Sequence, residues 1–412
     1  MKKKTIVLLG CFDTKGEPYS WLRDRIASKG IGTLLVDISV AGEPTIEPDI
    51  SASEIARAAG ADLDRLRAAG DRGDAIATMG SGGRVVVRRL HDEGRLDGII
   101  GLGGSGGTSA ITEAMKALPI GVPKVMVSTL ASGNTRPFVG GSDITMIYPL
   151  ADISGLNALL VQILDNAAAA ISGMVTNERT SFPRAKRGII GATQFGVTTP
   201  CVDAARKILE HEGFEVVAFH AAGAGGQSFE SLARDGSFVG VLDITTTELA
   251  DELIGGIHSA GPRRLEAAGA AGIPQVVSVG ALDICDFGPI STVPSAHASR
   301  LLVRHNPQVT LMRTTPEENA QLGRQLAEKL NKAKSPVYLF LPLRGVSSLD
   351  APGKPFHDTP ANAALFASIR RHVDPAKVDI VELDAHINDA AFAAAMAEKL
   401  IALVSERAEA AL

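Results

Sequence analysis

Cysteine is scarce in this chain: Cys11, Cys201 and Cys285 are the only three in 412 residues, and no two form a CxxC pair. That excludes a disulfide framework and a zinc ribbon and fits a reducing compartment. Aromatic residues make up only 4%, with a single tryptophan. The core therefore has to be built from Val, Ile, Leu and Ala. No apolar run reaches the roughly 18 residues that span a bilayer. The apolar stretch Ile6–Leu9 follows three lysines but stops at Gly10-Cys11-Phe12-Asp13, too short for a secretion signal. Basic charge is not in excess either. The 41 Lys and Arg face 46 Asp and Glu, a net charge of −5, which argues against a nucleic-acid partner. HExxH, EF-hand and paired Cys/His motifs are absent, so no dedicated metal cage is expected. These absences lead to the expectation of a cytoplasmic protein with neither a membrane nor a nucleic-acid partner.

Glycine, by contrast, is abundant at 43 residues. Many tight turns and an aliphatic core point to an α/β protein. Strand candidates Thr5–Gly10, Gly32–Ile38, Gly98–Leu102 and Lys124–Thr129 alternate with helix candidates Glu17–Ser28, Ala75–Glu93 and Thr108–Ala117. Asp143–Leu150 reads as a further, edge strand, and a long Ala/Leu-rich helix runs from Ile153 to about Val175. Alternation of this kind implies βαβ units and a mostly parallel sheet. Asn177–Arg187 is polar and basic, with a proline, and reads as a linker.

The second half then restates the first. Thr5–Gly10 has its counterpart in Arg187–Ala192, Thr33–Asp37 in Val216–His220, and Gly121–Ser128 in Gly272–Val279; Pro18 and Pro200 each open a helix. Strands are expected at Val309–Thr314, Val337–Leu343 and Val378–Leu383, with helices at Pro316–Asn331 and from Asp389 to about Ala408. The reading is two Rossmann-like α/β domains, residues 1–178 and 186–412, with mostly parallel sheets. Ligands belong at the carboxyl ends of the strands and in a cleft between the domains.

Gly101-Leu-Gly-Gly-Ser-Gly-Gly-Thr-Ser109 is the strongest chemical signal, with five glycines in Gly101–Gly107 between a strand and a helix. Free N–H groups at a helix start, next to its positive dipole end, attract phosphate. Three readings compete here. One is a phosphate cradle formed by Gly103, Gly104, Ser105, Gly106, Gly107 and Thr108. Another is GxGxxG, but no acid closes the next strand, which demotes a nicotinamide dinucleotide, and no Walker Lys follows. The third is GxSxG, a nucleophile elbow with Ser105 as nucleophile. Asp13, Thr14 and Lys15 follow the first strand, where Lys15 suits phosphate and Asp13 suits Mg²⁺ or a ribose hydroxyl. Thr129, Ser132, Gly133 and Asn134 follow another strand at the same edge. Asp143 and Asp152 are weaker metal candidates, and Asp152 equally suits a helix cap. In the second half, His220, Asp243, His305 and Arg313 are candidates for acid–base chemistry on a small anionic substrate, with Asp283-Ile-Cys-Asp286 nearby in sequence.

Leu9–Gly16, Gly101–Thr108, Thr129–Asn134 and His305-Asn-Pro-Gln-Val-Thr-Leu-Met-Arg313 together resemble the Tm-one-like ATP-binding family, over about residues 4–405. That family includes bacterial proteins and the inhibitory domain of a plant tobamovirus-resistance protein. The resemblance implies two α/β subdomains, ATP binding and a homodimer or higher homo-oligomer. Where relatives carry His-Ala-Asn-Gly-Gly-Gly, this chain has His220-Ala-Ala-Gly-Ala-Gly-Gly226. The expected function is ATP binding, with Mg²⁺ on the phosphates, coupled to chemistry on a small anionic substrate in the interdomain cleft. The alternatives are a non-catalytic module in which ATP orders a dimer or partner surface, and a serine hydrolase using Ser105.

Overall fold

The computed structural model describes residues 3–178 and 185–410, so the expected linker at 177–187 falls partly outside the described residues. The chain divides into two compact units, Met1–Ser181 and Phe182–Leu412.

The first unit runs β1 (Thr5–Gly10), α1 (Phe12–Ala27), β2 (Gly32–Asp37), α2 (Ala52–Ala58), α3 (Leu63–Ala69), α4 (Arg72–Asp92), β3 (Gly98–Gly103), α5 (Ser105–Met115), β4 (Lys124–Ser128), α6 (Arg136–Val139), β5 (Thr145–Ile147) and α7 (Ala158–Thr176). Its five strands are all parallel, in the order β2-β1-β3-β4-β5. The order reverses between β1 and β3, which opens a crevice at their carboxyl ends. One face packs Met79, Val86 and Leu90 of α4 with Ile111 and Met115 of α5. The other packs Leu22 and Ile26 of α1 with Leu160, Leu164 and Ile171 of α7. By length and composition α7 would also suit a membrane span, which the sequence reading did not register.

Several boundaries differ from expectation for physical reasons. The helix α1 begins earlier than expected, at Phe12, and breaks at Lys15 (φ −130°, ψ 20°). Pro18 then stands in the first turn of the segment that resumes after the break, where its missing N–H costs no helical bond. The glycines inside α4 are close-contact points. A Cβ on Gly82 would overlap the Ile55 carbonyl, and one on Gly80 would sit 3.3 Å from Ala110 Cα. Asn157, not Asp152, caps α7.

The second unit runs β6 (Ile189–Gln194), α8 (Thr199–His211), β7 (Glu215–His220), α9 (Ala224–Arg234), β8 (Gly240–Thr245), α10 (Glu248–Ile254), α11 (Ala267–Ala270), β9 (Gln275–Gly280), β10 (Ile284–Phe287), β11 (Leu302–Asn306), β12 (Val309–Arg313), α12 (Pro316–Leu330), β13 (Val337–Pro342), α13 (Thr359–His372), β14 (Val378–Leu383) and α14 (Ala390–Ala410). Its six-stranded sheet is parallel, in the order β14-β13-β9-β8-β6-β7. The stretch β7-β6-β8-β9 repeats the order β2-β1-β3-β4 of the first unit, as the sequence echo led one to expect. A separate antiparallel sheet, β10-β12-β11, was not expected. His305 and Arg313 belong to it. Asp243 lies within β8, not after it.

At the first crevice, Leu9 faces Gly101 in the last register position between β1 and β3. Beyond that point the strands part, and Tyr19 bridges them. Its hydroxyl accepts from the Leu102 N–H at 2.6 Å and donates to the Leu9 carbonyl at 2.6 Å. Tyr19 is fully buried, and a Cβ on Gly10 would overlap its hydroxyl. Tyr19→Phe should cost on the order of 1–3 kcal/mol, because it strands a buried N–H. Urea unfolding of the variant measures this. A loss below about 0.5 kcal/mol would mean the strands hold the crevice without the bridge.

Candidate functional site

The glycine segment closes β3 and opens α5. Gly104 is the N-cap (φ −82°, ψ −159°) and provides no side-chain cap. The first helical bond runs from the Thr108 N–H to the Gly104 carbonyl. The N–H groups of Ser105, Gly106 and Gly107 therefore precede the ladder and face past the sheet edge. Packing accounts for some of the glycines. A Cβ on Gly103 would meet the Thr108 nitrogen at 2.8 Å, and one on Gly106 would meet Ile76 at 2.9 Å. It does not account for Gly104 and Gly107, whose nearest neighbours would lie at 3.9 and 3.8 Å. The fold makes no use of those two missing side chains.

Beside Gly106 and Gly107 lies a cavity of about 370 Å³. Ile38, Val40, Leu66, Ile76 and Met79 give it apolar walls, and Asp13, Thr14 and Arg72 supply polar groups. Asp13 is held on one side, where its Oδ2 accepts from the Gly42 N–H at 3.1 Å. Its Oδ1 is buried with no partner. Arg72 opens α4 directly after its N-cap Asp71, and its Nη2 lies 3.7 Å from where a Gly106 Cβ would be. Arg72 escaped the sequence reading. The Asp71-Arg72 pair looks like any solvated helix start until the fold brings it to α5. Cys11 also lines the cavity, with its thiol pushed up to about 12 by burial.

The remaining expected ligand residues separate into other surroundings. Lys15 donates to the Ile153 carbonyl at 2.6 Å and does not line the cavity. Thr108 is buried, with Oγ1 2.6 Å from Ser128 Oγ, so its hydroxyl ties α5 to β4. Thr129 lies on the Gly104 side of the loop. Ser132, Gly133 and Asn134 are exposed, and Asn134 accepts from the Arg136 N–H. Ser105 has no hydrogen-bonded base among the described residues. The unit's one histidine, His91, pairs with Asp92 at the opposite end of α4, so nothing within this unit completes a nucleophile elbow. Asp143 is taken by buried Lys124 at 2.6 Å.

In the second unit a different network fills the corresponding strand ends. Arg264 is buried and grips Asp243 with two bonds of 2.6 and 2.7 Å, Glu248 at 2.6 Å and Glu230 at 3.3 Å. Glu248 Oε1 in turn accepts from the N–H groups of Gly223 and Gly226, at 2.7 and 3.1 Å. A carboxylate of the chain itself thus occupies the glycine segment that opens α9. Burial pushes Glu248 up, and Arg264 draws it back. Asp243 is accordingly a structural partner of Arg264. Arg313 is equally committed, donating to the carbonyls of Phe356, Thr314 and Asp358 and to Asn362 Oδ1. His305 is exposed on β11 and His220 stacks on Phe195. No hydrogen bond or ion pair links any two of His220, Asp243, His305 and Arg313 among the described residues. Farther along, Asp283 is fully buried and accepts from Ser347 Oγ at 2.7 Å, while its Oδ1 has no partner. Burial pushes Asp283 up to about 7, against the pull of Arg313.

Comparison with known proteins adds a family. Residues 4–180 match the Uncharacterised protein family (UPF0261) N-terminal domain, and residues 187–404 match its C-terminal domain. A UPF0261 protein of Clostridium tetani is 50% identical, covering 98% of this chain and 100% of that protein. One from Mesorhizobium japonicum is 44% identical over 96% and 98%. The ToMV resistance protein Tm-1(GCR237) of Solanum lycopersicum is 44% identical over 80% of this chain but only 44% of its own length.

The raised carboxyl of Asp283 carries a pH dependence. The folded state holds this proton more tightly than the unfolded chain, so the group's contribution is fully present below its ordinary value of 3.8. It is lost as pH rises through about 7. Asp283→Asn should flatten that slope and leave the variant more stable than wild type at pH 8, by up to about 4 kcal/mol. Urea unfolding at pH 5 and pH 8 measures it. A parallel pH dependence in the two proteins would exclude Asp283 as the source.

Proposed function

We propose that this chain, which belongs to the UPF0261 family, is an ATP-binding protein whose first unit holds the nucleotide at the start of α5. The observation that carries the reading is the pair Gly104 and Gly107: two glycines with open space around them, beside N–H groups that no side chain caps. Phosphate is the anion such a helix start suits best. Arg72 adds a guanidinium on the Gly106 side. The apolar walls of the neighbouring cavity suit a base, and Asp13 Oδ1 suits a ribose hydroxyl or a phosphate-bound Mg²⁺. This arrangement replaces the expected Lys15 with Arg72 as the cation beside the phosphates. A second reading has ATP ordering a homodimer without turnover. Light scattering with and without ATP separates the two, since only the second requires a shift in mass.

Isothermal titration with ATP and Mg²⁺, against ADP, AMP and NAD, is the test. Affinity should depend on the β and γ phosphates. Gly104→Asp should lower it at least about 100-fold, since a carboxylate then sits where phosphate would. The Gly104 backbone is one that any residue adopts and its Cβ has room, so that variant should still fold. Arg72→Ala should cost about tenfold, near 1.4 kcal/mol. Wild-type affinity in Gly104→Asp would overturn the assignment.

A further inference from the structure

Buried polar atoms without partners are concentrated in the second unit, around β10. Asp286 has both carboxylate oxygens buried and unpartnered, Asp251 has one, and His258 Nδ1 is a third such group. Asp286 is fully buried. His258 Nδ1 lies 3.5 Å from Asp286 Oδ2, and the His258 side chain is 18% exposed against 0% for Asp286. A third residue fixes the pair. Asp251 Oδ1 accepts from the backbone N–H of His258 at 3.0 Å and of Asp286 at 3.2 Å. Phe195 lies edge-on to His258 at 6.1 Å and stacked with His220 at 5.3 Å.

An unpartnered buried carboxylate costs several kcal/mol, and a structural aspartate avoids that cost by accepting backbone N–H groups, as Asp251 does. Asp286 accepts none, and what faces it is the partly exposed side chain of a histidine. That is the order of an acid–base pair: carboxylate behind, histidine in front, and an orienting group holding both. We propose that His258 and Asp286 form a proton-transfer pair acting as general base on a small, neutral acyl compound. The buried carboxylate of Asp286 gives the place a negative field, which disfavours an anionic substrate. Burial and the neighbouring Asp286 raise Asp251, and its Oδ1 orients the pair through the two backbone N–H groups it accepts. In the step, His258 Nε2 takes a proton from water as the water oxygen bonds to the acyl carbon. The leaving group departs with its electron pair, Asp286 holds the Nδ1–H throughout, and Nε2 then returns the proton to the leaving group or solvent.

The probe is p-nitrophenyl acetate, read as released p-nitrophenolate. His258→Gln and Asp286→Asn should each lower the rate at least tenfold, while His211→Gln, at the exposed end of α8, should leave it unchanged. A carboxamide cannot hold the Nδ1–H tautomer, so Asp286→Asn should act without removing the histidine. Wild-type rates in His258→Gln would overturn the proposal. Should either variant fail to fold, ¹⁵N NMR of the wild-type protein decides. The neutral His258 ring must carry its proton on Nδ1, and an Nε2–H tautomer would overturn it equally.

Discussion

A parallel strand followed by a helix leaves several backbone N–H groups pointing past the carboxyl edge of the sheet, and something has to meet them. Both units face that constraint with the same strand order, and they meet it in opposite ways. In the first, the cap of α5 is Gly104 and no side chain reaches the N–H groups behind it. In the second, Glu248 turns its carboxylate into the start of α9 and is fixed there by Arg264. Among the described residues one helix start is left uncapped by any side chain, and the other is closed by the chain itself.

The closed edge shows why a buried charge is not by itself a functional residue. Arg264 collects three carboxylates, and each finds further donors. Thr193 donates to Asp243, Gly223 and Gly226 to Glu248, and Leu265 and Ala267 to Glu230. Removing one member would strand the others in a medium that penalises unpaired charge. The network therefore behaves as one unit that sets the positions of β8, α9 and α10. Asp286 differs in kind. Among the described residues it is just as buried and its carboxylate accepts no hydrogen bond, and His258 Nδ1 lies 3.5 Å in front of it.

Much of the framework was legible in the sequence because it rests on local chemistry. Apolar runs of the right length mark β1, β3, β4, β13 and β14 to within a residue or two, and the repeat of turn residues anticipates the shared strand order. The glycine segment at Gly101–Gly107 declared itself by composition. What stayed hidden depends on contacts between distant residues. Tyr19 is an ordinary aromatic until α1 lies over the β1–β3 gap. Arg264 and Glu248 are sixteen residues apart, and their joint use becomes visible only once β8 and α10 are in place. Asp243 reads as a strand-end acid because polar residues end most strands, and here β8 runs on to Thr245 to present it to Arg264. Lys15 reads as the phosphate cation because it follows a strand. The break in α1 instead lets Lys15 reach the Ile153 carbonyl.

The separation of the expected residues follows from the same topology. In a parallel sheet with a reversal of order, only the loops flanking the reversal converge. Asp13, Thr14, Gly106 and Gly107 flank it and share a cavity with Arg72. The turn Thr129–Asn134 follows β4, one strand farther out, and faces the other side of the glycine segment. A ligand on the α4 side therefore meets a carboxylate, a guanidinium and apolar walls, whereas one on the β4 side meets hydroxyls and an amide. The first set is the mixed chemistry that the proposed nucleotide would require, with apolar walls for a base and polar groups for sugar and phosphate. The described cavity lies on the α4 side of the loop, and that is the reason the proposal places the nucleotide there.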